Sequence, residues 1–212
     1  MNRFYSLILG LMMMVFSVQA QSKKSKNNSA QKGSITEQAS PYKGFFDFYY
    51  HEASDKIYLK VPKNEQQFLY VNSLSQGIGT DHIGLDRGQL GNERVVSFSK
   101  AGDKLLLIQP NLRYRSTSDN PLEQRSIKEA FAKSVLFGFP IVETLDDAYL
   151  IDLTPFLLQD AHGVSIRLKQ LKEGTYKIDK SRSAVYLDRT KAFPKNIEMD
   201  MLLTFAAERP RS

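Results

Sequence analysis

Apolar side chains recur at every second position in two stretches of this chain, the period of a strand with one face in a core. Ile57, Leu59 and Val61 alternate with Lys56, Tyr58 and Lys60, and Pro62 predicts where that strand stops. Ile197, Met199, Met201, Leu203 and Phe205 alternate with Glu198, Asp200 and Thr204, the cleanest strand pattern in the sequence. Phe45-Phe46-Asp47-Phe48-Tyr49-Tyr50 is aromatic-dense and predicts a first strand buried on much of both faces. Phe68–Val71, Ala148–Leu153 and Ala184–Leu187 read as further short strands. Arg94–Ser99 and Lys104–Gln109 flank Lys100-Ala101-Gly102-Asp103, which signals a hairpin.

Helix chemistry is concentrated in one segment. Asn120 caps, Pro121 fits the first helical position, and Glu123 completes a capping-box pattern. Ile127, Ala130, Phe131, Ser134 and Val135 fall at spacings of three and four and predict an inward stripe. Gly138 and Pro140 predict its end, and Thr154-Pro155 opens a short helical turn through Gln159. Residues 77–91 hold Gly77, Gly79, Gly84, Gly88 and Gly91 out of 12 glycines, a long irregular loop of the functional or mobile kind. The pattern predicts an α+β fold, mainly antiparallel β, with one well-formed helix and short helical turns.

The first 40 residues stand apart. Met1-Asn2-Arg3 is basic, residues 7–18 are apolar apart from Gly10 and Ser17, and Val18-Gln19-Ala20 offers small residues for cleavage. Residues 1–20 are therefore expected to be a signal peptide, sending the chain to the periplasm or the extracellular space. A bilayer span needs about 20 apolar residues, so no stable membrane anchor is expected after cleavage. Residues 21–40 are rich in Ser, Lys, Asn and Gln, with Ile35 the lone large apolar side chain, and predict a disordered polar, basic linker. Folding is expected to start at Pro41, with 41–212 forming the β-rich domain.

Charge and cysteine count remove several function classes. Of the formal +6, Arg3 supplies one unit, and Lys23, Lys24, Lys26 and Lys32 against Glu37 supply three; the folded part keeps +2. Nucleic-acid binders gather charge on a face of the domain itself, so that class is set aside. The absence of cysteine excludes disulfides, thiolate nucleophiles, cysteine-based zinc sites and lipid attachment at a lipoprotein cysteine.

No catalytic constellation assembles from the motifs. His51-Glu52-Ala53-Ser54-Asp55 matches half of the His-Glu-x-x-His zinc motif, but Asp55 stands where the second histidine must face the metal. Gly79 and Gly84 have phosphate-loop spacing, with Leu85 in place of the required lysine. Asp81-His82 and Asp160-Ala161-His162 set a carboxylate beside a histidine, as a metal ligand and its supporter are set. No Gly-x-Ser-x-Gly elbow is present, and Asp146-Asp147 sits in a turn. Catalytic, cofactor-binding and metal-ligating residues are thus expected to number none.

Several longer phrases carry a resemblance. They are Gly44-Phe45-Phe46, Leu85-Asp86-Arg87-Gly88-Gln89, Gln109-Pro110-Asn111-Leu112-Arg113-Tyr114-Arg115, Phe137-Gly138-Phe139-Pro140 and Asp160-Ala161-His162-Gly163-Val164. Ser181-Arg182-Ser183-Ala184-Val185-Tyr186 and Thr190-Lys191-Ala192-Phe193-Pro194 with Asn196 complete the set. In this order, across residues 40–206, they resemble the N-terminal region of large exported bacterial zinc-dependent metallopeptidases, a region catalogued as domains of unknown function 5118 and 5117. The resemblance implies a non-catalytic module that packs on or supports a peptidase domain, in cis or in trans. Zinc is then expected in that domain alone, which in the family lies downstream of this region. Since the sequence stops at Ser212, it implies either a shortened product or a free-standing module. Asp86, Arg87, Asn111, Arg113 and Arg115 are the expected contact surface. The alternative is a stand-alone periplasmic module for a peptide or glycan, with Tyr49, Tyr50, Tyr58 and Tyr70 as candidate groove residues. An enzyme site built on His51, His82 and His162 is the remaining rival.

Overall fold

In the computed structural model the described residues are 33–79 and 81–208, so the expected leader and most of the linker lie outside them. A short helix α1 (Ile35–Gln38) lies ahead of Pro41. The Glu143 carboxylate takes the Ser34 hydroxyl at 2.7 Å and the Ile35 amide at 3.3 Å. A carboxylate distant in sequence thus organises residues whose own composition would not.

The main body is one antiparallel sheet. Its strands are β1 (Ser40–Tyr42), β2 (Phe48–His51), β3 (Lys56–Pro62), β4 (Gln67–Tyr70), β5 (Arg94–Ala101) and β6 (Lys104–Gln109). Helix α2 (Pro121–Ala130) follows, then β7 (Ser134–Thr144) and β8 (Ala148–Asp152). The spatial order is β1-β2-β3-β8-β7-β6-β5-β4. That order explains the shape. Residues 63–66 alone join β3 to β4, a reach of at most about 18 Å. In a flat sheet, the four strands between them would hold β3 and β4 about 24 Å apart. The sheet has to curl, and it forms a half-barrel.

The chain beyond β8 lines the hollow. Helices α3 (Thr154–Leu157) and α4 (Val164–Gln170) lead into β9 (Tyr176–Ile178), β10 (Ala184–Val185) and β11 (Lys191–Ala192). The chain then returns through β12 (Ile197–Glu198), β13 (Met201–Leu202) and β14 (Phe205–Ala207). Each returning strand pairs with one outgoing strand: β12 with β11, β13 with β10, β14 with β9. Val185, Ala192, Ile197, Met199 and Met201 pack on the inner face of the sheet against Phe48, Leu59, Val96, Leu105 and Phe139.

Most predicted strands are present, β3 with its alternate burial intact and the β5–β6 hairpin turning at Gly102 with φ 62°. Four expectations are corrected. Gly44-Phe45-Phe46 forms the bend between β1 and β2 rather than the first strand, because Phe45 donates its amide to Phe193 on the distant hairpin tip. Gly138 and Pro140 lie inside β7 and do not end a helix. Residues up to Pro140 pair with β6 and those from Ile141 pair with β8, so the proline occupies the change-over, where its missing N–H is tolerated. The inward helical stripe is not inward: α2 has no buried residue, and Ser134 and Val135 belong to β7.

The fourth correction concerns Ile197–Phe205, which is three short strands instead of one. The outgoing arm contains 3₁₀ turns at Lys180–Arg182 and Leu187–Arg189, each adding three residues that the returning arm does not match. Pairing breaks at each insertion. Both insertions are closed alike. Asp179 and Tyr186 donate their amides to the carbonyls of Thr204 and Asp200. The amides of those same two residues donate back to the hydroxyls of Ser183 and Thr190.

Candidate functional site

The glycine-rich stretch is a continuation of the β4–β5 ribbon, twisted at its tip. Amides of Leu74, Ile78, Gly88 and Gly91 bond across it, and Ser73 bridges Leu90. Ile83 and Leu85 turn inward onto Val164 and, with Leu74, Leu168 and Leu171, make a second small core. Arg167 of α4 locks this tip, donating to the Ile83 carbonyl at 2.6 Å. Asp86 and Arg87 are left exposed in the turn that precedes Gly88.

The other predicted contact segment builds the site. Between β6 and β7 the chain makes an exposed excursion, residues 110–133, that contains α2. Asn120 caps the helix by accepting the Leu122 amide at 3.0 Å, Pro121 opens it, and Arg125 pairs with Glu129 at 2.6 Å. Tyr114 stacks on Phe131 with ring centres 4.0 Å apart, and this staples the excursion closed. Leu122 stays 74% exposed.

Two clefts flank the excursion. One, of about 420 Å³, runs between the ends of β5 and β6 and the 110–113 segment. Asn111 and Arg113 line it, joined by Arg94, Gln109 and Ser134, with Val95, Pro110, Leu112 and Ala132 as apolar walls and Glu93 on the lining too. The other, of about 390 Å³, is lined by Arg115, Ser116, Glu123, Ile127 and neighbours. Of the five predicted contact residues the fold gathers Asn111 and Arg113 into one cleft and Arg115 into the next. Asp86 and Arg87 line neither. Arg94 and Gln109 went unpredicted, although the hairpin register announces them: pairing outward from Gly102 brings the start of β5 beside the end of β6.

Local bonding orients the cleft. Arg94 donates to Gln109 Oε1 at 3.3 Å, and the Arg113 amide donates to Asn111 Oδ1 at 3.1 Å. Arg113 lies over the Tyr114 ring at 5.6 Å. Tyr70, directly across from Arg94, has its phenol pushed up by burial while the Arg94 charge works against that.

The histidines are dispersed. His51 Nδ1 bonds Ser54 at 2.8 Å, His82 meets Glu173 at 3.2 Å, and His162 meets Asn72 at 3.2 Å. Asp55 turns with φ 49° and commits one carboxylate oxygen to the Tyr50 hydroxyl and the other to the Val185 amide. Asp160 caps α4 through the amides of Val164 and Ser165 instead of supporting His162. Among the described residues no three His, Asp or Glu side chains come close enough to share a metal ion. Tyr49 is buried, Tyr70 packs on Phe156, and none of Tyr49, Tyr50, Tyr58 and Tyr70 lines either cleft. Among the described residues no helix is long and apolar enough to cross a membrane.

A family model described as Domain of unknown function (DUF5117) matches residues 88–212, and one described as Domain of unknown function (DUF5118) matches residues 32–77. No curated protein and no solved structure matches the chain. The two matched regions share one sheet. β1 to β4 fall in residues 32–77 and β5 to β8 in residues 88–212, and the β3–β8 and β4–β5 pairings sew them together.

Proposed function

The chain belongs to the DUF5117 family, and from that premise we propose that it is a non-catalytic module of an exported zinc-metallopeptidase-like protein. It packs on a peptidase domain, in cis or in trans, and the zinc belongs to that domain. The observation that carries this reading is α2. A helix of ten residues is marginal on its own and is normally held by packing an apolar face. This one has no buried residue, only Ile127 being half-buried, and presents Leu122 to solvent. A docked domain would cover that face, with Arg115 beside it. The basic leader with its short apolar core and Val18-Gln19-Ala20 supports delivery outside the cytoplasm.

The test is titration calorimetry of the purified chain against a zinc-peptidase domain from a protein that carries both modules. Binding is expected, lost in Leu122→Glu while circular dichroism stays unchanged. Absence of any complex, or chelator-sensitive peptide hydrolysis by this chain alone, overturns the reading. Export is checked separately by mass spectrometry of the secreted protein, expected to begin at Gln21. A second reading, a stand-alone peptide- or glycan-binding module, draws on the 420 Å³ cleft, whose volume suits a small ligand.

A further inference from the structure

We propose that the cleft between the β5–β6 ends and the 110–113 segment is a carboxylate-binding site for a peptide whose carboxylate sits beside an apolar side chain. The donor inventory carries the inference. Gln109 has its Oε1 occupied by Arg94, and Asn111 has its Oδ1 occupied by the Arg113 amide. Each amide therefore turns its NH₂ group, a double donor, away from those bonds. Arg94 and Arg113 add two guanidinium groups, and neither has a carboxylate within 4.0 Å among the described residues. Two guanidinium groups without a carboxylate partner among the described residues, and two amide donors, line one cleft; they suit an anion with several acceptor sites, and a planar carboxylate fits the guanidinium fork.

The walls narrow the ligand further. Val95, Pro110, Leu112 and Ala132 line the same cleft, so a free inorganic anion would leave them uncovered. An apolar side chain next to the carboxylate covers them. Two kinds of peptide meet that description: one ending in an apolar residue, and one with an internal Asp or Glu beside an apolar neighbour. Glu93 is the single acid on the lining. It repels the ligand and sets the sign of one test. The site stands whether or not a peptidase domain docks on α2, since it needs nothing outside this chain.

The experiment measures affinity of the full chain for three short synthetic peptides by fluorescence polarisation. These are an N-acetylated peptide ending in leucine with a free carboxylate, its C-terminal amide, and an amidated peptide with an internal Glu-Leu. Binding of the first alone assigns the site to chain ends, and binding of the first and third assigns it to acidic peptides generally. Arg113→Gln is expected to weaken binding by about tenfold or more, the worth of one charge-assisted hydrogen bond, and added salt to weaken it further. Glu93→Gln is expected to tighten it. Arg113 is exposed, so its variant keeps the fold, which circular dichroism checks. Equal binding of acid and amide forms, no binding of any peptide, or indifference to both substitutions overturns the proposal.

Discussion

Thr190 accepts the backbone amide of Asp200 on its hydroxyl at 3.1 Å while donating to the Tyr186 carbonyl at 3.1 Å. Ser183 does the same with Thr204 and Asp179, at 3.0 Å and 2.8 Å. A 3₁₀ insertion pulls the outgoing arm away from its partner and would leave one amide of the returning arm without an acceptor. The hydroxyl at the end of each insertion supplies it. Thr190 is fully buried, so no water can substitute. Replacing Thr190 by Val keeps the shape and removes the bonds, and is expected to cost about 1–3 kcal/mol in urea unfolding. Thr190→Ser should retain most of that stability. Equal losses for the two variants would show that packing, and not the hydroxyl, closes the arm.

The bend at Gly44 is pressed against the tip of the same hairpin. A methyl group there would lie 2.7 Å from the Phe193 carbonyl oxygen and 2.9 Å from the Ala192 Cβ. Neither contact is the end of a flexible side chain. Gly44→Ala is expected to lower stability by about 1–3 kcal/mol, as overpacking does. The denaturation midpoint should fall with the slope unchanged. A wild-type midpoint would mean that the bend moves freely.

What was legible in the sequence was whatever is decided locally. Ile57, Leu59 and Val61 announce β3 because alternation is a property of the strand itself, and Gly102 announces the hairpin because φ > 0 favours glycine. Pro140 misleads because its place in β7 depends on a change of partner strand that no local pattern encodes. The alternation of Ile197 to Phe205 is genuine, yet its divisions at Asp200 and Thr204 are imposed by the two insertions in the opposite arm. In the same way Asn111 and Arg113 stand out as a phrase, while Arg94 and Gln109 join them only through register. Asp86 and Arg87 read as equal candidates, but the ribbon carries them to a different turn.

The acid limb of stability should report on the first insertion. The Ser181 hydroxyl, and after it the Arg182 guanidinium, hold the Asp179 carboxyl at about 2, below its usual 3.8. A group whose folded value is depressed stabilises the fold above its unfolded value and loses that contribution as pH falls through the folded one. The loss is therefore expected between about pH 4 and pH 2. Carbon-detected NMR titration of Asp179 should show a midpoint near 2, and Asp179→Asn should flatten the acid limb of the pH–stability curve. A midpoint near 4 would refute the assignment.

The boundary between the two family matches makes the strongest claim on folding. Residues 88–212 supply β5 to β8, but in the whole chain β8 is flanked by β3 and β5 by β4, both from residues 32–77. Cutting the chain between them would uncover two strand edges and the inner face that Phe46, Phe48 and Phe68 cover. Three of the aromatic contacts cross the cut, Phe46 and Phe68 each against Phe98 and Tyr70 against Phe156. Exposed, unpaired edges of this kind template aggregation. A fragment of residues 88–212 is therefore expected to be unfolded or aggregated, with collapsed amide dispersion in its NMR spectrum. Adding a fragment of residues 33–87 should restore the dispersed spectrum in a one-to-one complex. If residues 88–212 fold alone, the two matches are separate domains and the shared sheet is not what stabilises them.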